Sequence, residues 1–451
     1  MQKILVANRG EIAVRIIRAC MQEGIETVAV YSTADKDALH VQLADDAVCI
    51  GGPNSTDSYL NMKNILTAAV STGADAIHPG FGFLSENAKF ARLCEEFGIV
   101  FIGPNADVID KMGNKSKARE MMVKAKVPVV PGSDGAVESV YAGIIVAKEV
   151  GYPVLIKASA GGGGRGMRVA ESEDEFKKAF EMAQLEAKNA FGDDTMYIER
   201  FVKDPKHIEF QILADKYGNV IHLGERDCSV QRRNQKVVEE APCGIISKDL
   251  RDKMGEAAVN AAKFVGYENA GTIEFLLSGE EFFFIEMNTR IQVEHPVTEM
   301  ITGIDIVKEQ IKIASGKKLS ISQEEVKFNG HSIECRINAE NPKLNFRPNA
   351  GEIKLLHIPG GFGLRFDSAI YQGYKIPPFY DSMIGKLIVH AETREAAIKK
   401  MRVAIEEIII EGVEHNLAFC YAIINSDEFA KGVFNTGFIP KHIDRLLETK
   451  I

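Results

Sequence analysis

Over its first 112 residues the chain alternates short apolar runs with helically spaced segments, and this alternation narrows the folds open to it. KILVAN precedes IAVRIIRACMQEG, which precedes TVAVYS; DAIHPGFG, NAKFARLCEEFG and VFIGP repeat the grammar. Strands alternating with helices imply βαβ units and therefore a parallel sheet. The first turn is Asn8-Arg9-Gly10 rather than a G-x-G-x-x-G fingerprint, so a bound dinucleotide has no support.

A second region, 113–330, carries a glycine run and most of the polar segments, with a mobile lid expected over about 130–203. A third, 331–451, opens on HSIECRINAE and ends in helical spacing such as REAAIKKMRVAIEEI. No repeat or low-complexity linker separates them, so tight packing between regions is expected. The net charge of −9, with no long Lys/Arg block, argues against nucleic acid as a partner. The 7 cysteines are scattered and never form a CxxC pair, which fits a reducing compartment better than a disulfide framework or zinc site. No apolar run is long enough to span a bilayer, and the first residues read as a strand rather than a signal segment. A cytoplasmic protein without a membrane role is expected.

The run KASAGGGGRGMR contains four consecutive glycines. No Gly-Lys-Ser/Thr follows, which excludes a P-loop. GYPVLIKAS before it and MRVAES after it are both strand-like, giving strand–loop–strand where a dinucleotide site needs strand–loop–helix. A glycine hairpin wraps phosphate with its N–H groups, because glycine reaches the positive φ that an anion nest requires. Lys157 on the entering strand would add a point charge. A bare surface turn is the competing reading.

FFFIEMNTRIQVEHPVTE is the strongest chemical signal. In an extended chain Glu286, Asn288, Arg290, Gln292 and Glu294 share one face. Upstream, GTIEFLL carries Glu274; with Gly279, Glu280 and Glu281 as the turn, Glu274 falls opposite Glu286. Opposed like charges destabilise a strand pair unless neutralised, and a divalent cation would do so, with Asn288 adding an oxygen. Two exposed glutamates on a hairpin are the alternative. ERDCSVQRRNQKVVEEAP sets Arg226, Gln231, Arg232, Arg233 and Lys236 among carboxylates, and HSIECRINAE puts Glu334, Arg336 and Asn338 on one strand face.

ANRGEIAVRIIRA, HPGFGFLSENA, IGP, KASAGGGGRGMR, ERDCSVQRRNQK and EMNTRIQVEHPVTEM occur in the order found in biotin carboxylases. Over essentially its whole length the chain resembles that branch of the ATP-grasp family. The resemblance implies an α/β multidomain fold: an N-terminal Rossmann-like parallel-sheet domain (1–112), a central ATP-grasp domain with a glycine-rich lid (113–330) and a C-terminal mixed α/β domain (331–451). It also implies a ligase that uses ATP and bicarbonate to carboxylate biotin through carboxyphosphate. Biotin would arrive on a separate biotin carboxyl carrier protein, since no Ala-Met-Lys-Met motif occurs here. Further implications are Mg2+ or Mn2+ (two ions), carboxyltransferase partners, a homodimer, and the first half-reaction of acetyl-CoA carboxylase, leading to malonyl-CoA for fatty acid synthesis.

Residue by residue, the resemblance assigns ATP to Lys115, Lys157, Gly163, Gly164, Glu199, Arg200, Phe201, Val202, His207, Gln231, Asn234, Glu274 and Glu286. Metal falls to Glu274, Glu286 and Asn288, and bicarbonate to Lys236, Arg290, Gln292, Val293 and Glu294. Lys236, Arg290, Glu294 and Arg336 are the implied catalytic set, with Arg336 and Phe81 at biotin. Two positions depart from the family pattern. Asn234 stands where histidine is frequent, and Phe81 where tyrosine is.

Overall fold

The computed structural model describes residues 1–158 and 166–449. Strands β1 (Lys3–Val6), β2 (Glu26–Ser32), β3 (Asp46–Gly51), β4 (Ala76–His78) and β5 (Val100–Phe101) form one sheet in the order β3-β2-β1-β4-β5. Every pairing in it is parallel, as the βαβ grammar required. The helix Gly10–Gln22 buries Ile12, Ala13, Ile16, Ile17 and Cys20, the i, i+3, i+4 stripe of a helix lying on a sheet.

β6 (Val154–Ala158), β7 (Met167–Ala170) and β8 (Met196–Arg200) make a separate antiparallel sheet in the order β7-β6-β8. Helices Val140–Val150 and Glu173–Phe191 pack on it through Ile156, Phe176, Phe180 and Ile198. Gly143 is required at that contact, because a Cβ there would stand 2.7 Å from the Phe176 ring. The glycine run itself, including Gly163 and Gly164, lies outside the described residues.

Next come β9 (Lys206–Ala214), β10 (Val220–Arg232), β11 (Gln235–Ala241), β12 (Asn269–Ser278), β13 (Glu281–Asn288) and β14 (His331–Asn338). The short strands β15 (Glu340–Asn341), β16 (Arg347–Pro348) and β17 (Leu355–His357) follow, then β18 (Leu364–Ser368), β19 (Met383–Ala391) and β20 (Ile409–Glu411). The large sheet runs β13-β12-β9-β10-β11-β14-β19-β18, so it continues without a break through the chain on both sides of residue 330. On β9, Ile208, Phe210 and Ile212 join the core under the helix Lys248–Phe264, with Met254 and Ala258. The period of two then turns His207, Glu209 and Gln211 to the opposite face.

Two expectations need correction. The polar stripe is a strand only as far as Asn288, and Glu294 already adopts φ −84° and ψ 11° at the start of the helix His295–Thr302. Alternation therefore does not orient residues 289–294. Glu274 does pair with Glu286, but not through a three-residue turn. Ser278 pairs with Glu281 across a two-residue Gly279-Glu280 turn, and a bulge at Glu274/Phe275 restores the register.

Candidate active site

The pairings β10–β9–β12–β13 line up Arg226, Glu209, Glu274 and Glu286 as successive partners on one rung. Three carboxylates abreast are mutually repulsive, so cations must enter the cleft. Arg226 is wholly buried and donates from Nε to Glu209 Oε1 at 2.6 Å and from Nη2 to Gln292 Oε1 at 2.8 Å. His207 Nε2 lies 3.0 Å from Glu274 Oε2, and its Nδ1 is 2.7 Å from the Gln231 amide nitrogen. Burial pushes the imidazole pKa down, but Glu274 outweighs burial and raises it.

Lys236 is the hub. Its Nζ is 2.5 Å from Glu209 Oε2, 3.0 Å from Glu274 Oε1 and 2.5 Å from Glu294 Oε1. Burial works against the ammonium, yet these three glutamates hold its pKa well above the usual lysine range. Glu294 gains the converse: burial would raise its pKa, but Lys236, Arg336 and Arg226 hold it well below the ordinary carboxylate range. Arg336 bridges two acids, with Nε 2.6 Å from Glu239 Oε1 and Nη2 2.9 Å from Glu294 Oε2. Lys236, Glu294 and Arg336 thus form a continuous chain.

The carboxylate pair suits a hard divalent cation. Glu286 is partly exposed and, among the described residues, has only a distant partner in Lys115, 3.8 Å away, while burial and the Glu274 charge push its pKa up. That is excess negative charge built from oxygen donors, the chemistry magnesium or manganese takes. Asn288 donates from Nδ2 to Glu274 Oε1 at 2.8 Å and accepts from Arg290 Nη2 at 3.0 Å, so its oxygen would have to leave Arg290 to serve as a ligand.

The structure brings together His207, Gln231, Lys236, Glu274, Glu286, Asn288, Gln292, Glu294 and Arg336 through direct contacts; Gln292 Nε2 donates to Glu274 Oε1 at 2.7 Å. Arg290 joins through Asn288, and Lys115 through Glu286. Lys157 belongs to the smaller sheet, with Nζ 2.5 Å from Glu199 Oε1. Arg200 turns to Glu281 at 3.2 Å and lies over the Phe283 ring, and the Phe201 N–H donates to the Pro153 carbonyl. Val202 follows in the partly buried segment after β8. Asn234 sits exposed at the β10–β11 turn, where Arg233 and Asn234 have φ of 52° and 64°. Asparagine suits that turn, because its short polar side chain tolerates the left-handed region. Phe81 packs against the N-terminal core, with its carbonyl accepting from Asn8 Nδ2 at 2.7 Å.

Sequence reasoning missed Glu209, Glu239, Glu86 and Lys386. Glu86 accepts from Arg290 Nε at 3.0 Å and from the Thr289 N–H at 3.1 Å. KHIEFQ held a signal for Glu209, since His207, Glu209 and Gln211 alternate inside an otherwise apolar strand.

Comparison with protein families matches the description "Biotin carboxylase, N-terminal domain" over residues 1–109. "Carbamoyl-phosphate synthase L chain, ATP binding domain" matches 114–322, and "Biotin carboxylase C-terminal domain" matches 334–441. The chain is 58% identical over 440 residues to biotin carboxylase 1 of Bacillus subtilis (strain 168), covering 97% of this chain and 98% of that one. Among solved structures, the biotin carboxylase domain dimer of Hydrogenobacter thermophilus 2-oxoglutarate carboxylase, in complex with MgADP, ADP and bicarbonate, superposes with a TM-score of 0.93. That domain shares 53% identity, covering 100% of this chain and 99% of that one. A crystal structure of the biotin carboxylase subunit of pyruvate carboxylase superposes with a TM-score of 0.89 at 54% identity, covering 100% of both chains.

Proposed function

We propose, from the premise that this chain belongs to the biotin carboxylase family, that it serves as the carboxylating subunit of an acetyl-CoA carboxylase. The family's reaction is the ATP-dependent carboxylation of biotin. The acetyl-CoA assignment leans on similarity, over 97% of this chain and 98% of that one, to a relative named for the biotin carboxylase step alone rather than for a pyruvate or 2-oxoglutarate carboxylase. In this reading a cytoplasmic homodimer receives biotin on a carrier protein and passes carboxybiotin to carboxyltransferase subunits, toward malonyl-CoA and fatty acids.

The nucleotide lies between the smaller sheet and the large one. Lys115, Lys157, His207, Gln231 and Asn234 contact it, Gly163 and Gly164 are assigned to it by the family pattern alone, and Glu199, Arg200, Phe201 and Val202 carry the base. Glu274, Glu286 and Asn288 would hold magnesium or manganese, as one or two ions, which neutralises charge developing on the transferred phosphoryl. Lys236, Arg290, Gln292 and the Val293 N–H hold bicarbonate beside Glu294.

One observation carries this reading: Lys236 and Arg336 both hold Glu294, next to the Glu274–Glu286 pair. So strongly held an ionised carboxylate is a poor base on its own. When bicarbonate draws Lys236 onto its own oxygens, Glu294 loses its strongest partner and becomes basic enough to take the bicarbonate proton. The freed oxygen attacks the γ-phosphorus, giving carboxyphosphate and ADP. Carboxyphosphate splits to CO2 and phosphate, phosphate removes the ureido proton of biotin, and Arg336 stabilises the resulting enolate-like anion, with Phe81 against the ring system.

ATP cleavage that requires bicarbonate and rises with free biotin tests the assignment. Cleavage indifferent to both points to a ligase of another class. Reconstitution with carboxyltransferases specific for acetyl-CoA, pyruvate or 2-oxoglutarate tests the acceptor.

A further inference from the structure

We infer that Lys386, held in place by Glu11, is a positioning residue for the bicarbonate-binding loop, fixing the Val293–Glu294 peptide so that Glu294 meets its substrate. The inference rests on the assignment of Val293 and Glu294 to the bicarbonate pocket.

Residues 289–294 lie beyond the end of β13, so no strand ladder holds them. Side-chain contacts do so instead, two of them from distant parts of the chain. Glu86, from the loop after β4, accepts from the Thr289 N–H at 3.1 Å and from Arg290. His295 Nδ1 is 2.8 Å from the Gln292 carbonyl oxygen. Lys386, on β19, donates from Nζ to the Val293 carbonyl at 2.7 Å. These contacts replace the missing ladder.

The lysine contact is the costly one. Lys386 is wholly buried, and an ammonium leaves water only when its protons find partners. The Val293 carbonyl accepts a hydrogen bond from one N–H, and Glu11 Oε1, from the helix Gly10–Gln22, lies 3.1 Å away. Arg365 and Asp367, an ion pair on β18, neighbour this group, and Glu334 faces it from β14. Drawing the Val293 carbonyl toward the core fixes the peptide plane that precedes Glu294. The flanking side chains then reach the cleft, Gln292 to Glu274 at 2.7 Å and Glu294 to Lys236 at 2.5 Å. A simple ion pair between Glu11 and Lys386 would need no contact with this peptide.

The test is steady-state ATP cleavage by full-length Lys386→Met and Glu11→Gln, with bicarbonate and MgATP varied in turn. Lys386→Met should lower kcat/KM for bicarbonate by about 10- to 100-fold, the effect of a small misplacement of reacting groups, while KM for MgATP stays within twofold of wild type. Glu11→Gln, which keeps a neutral side chain of the same shape, should move kcat/KM for bicarbonate in the same direction by a smaller factor. It keeps the question answerable if Lys386→Met does not fold. Either folded variant with wild-type kcat/KM for bicarbonate overturns the inference, as does a parallel loss in both substrates. A wild-type enzyme without bicarbonate-dependent cleavage overturns the functional reading itself, which is a separate result.

Discussion

Glu294 and Lys236 lie 2.5 Å apart, and the same ammonium is shared with Glu209 and Glu274. On the proposed mechanism this carboxylate is stored ionised and released as a base by the substrate. Glu294→Gln should keep MgATP binding and lose bicarbonate-dependent ADP release by about 10²–10⁴-fold, the usual worth of a positioned general base. Coupled-enzyme detection of ADP checks it; unchanged turnover would remove Glu294 from the mechanism.

Glu274→Gln and Glu286→Gln should both weaken MgATP binding, seen as a diminished thermal shift on adding nucleotide and metal. Glu286→Gln is the cleaner probe, because among the described residues Glu286 has only the distant Lys115 as a charge partner while Glu274 also anchors Lys236 and His207. Full retention of the shift in both variants would break the metal assignment.

Arg336 touches Glu294 and Glu239 at once, so on the proposed mechanism its removal should separate the two halves of the reaction. Arg336→Ala should slow biotin carboxylation by the equivalent of about 2.7–4 kcal/mol, the loss typical of one anion-stabilising donor. Bicarbonate-driven ATP cleavage should suffer less. Equal damage to both rates would contradict the role given to it.

His78, wholly buried on β4, accepts a hydrogen bond from the Gly80 N–H at 3.1 Å, and burial lowers its pKa to about 3. The unfolded chain binds this proton near pH 6.5, so the stabilisation is complete above that pH and is lost on acidification. From pH 7 to pH 5 this one group should cost about 2 kcal/mol. Urea unfolding at the two pH values should show His78→Asn losing less stability over the interval than wild type by that amount.

The parallel sheet was legible because buried βαβ strands announce themselves as apolar runs. Pairing of Glu274 with Glu286 was legible too, although its cause was not: a two-residue turn and a bulge give the same register as a three-residue turn. The stripe beyond Asn288 misled, because a polar period of two persists in the sequence after the backbone has left the extended conformation. Arg226 and Arg336 both looked like members of charge-dense segments. Only the strand order places one under Glu209 and the other against Glu294. Glu86 and Lys386 act across 204 and 93 positions of chain, a separation that local pattern does not encode.

The pairing of β11 with β14 stitches residues 238–241 to 332–335 by main-chain hydrogen bonds. Cutting the gene near codon 330 would leave each fragment with a raw, sticky strand margin, the kind that invites aggregation. The stretches on the two sides of that cut therefore fold as one unit, and chimeras should swap them as one piece.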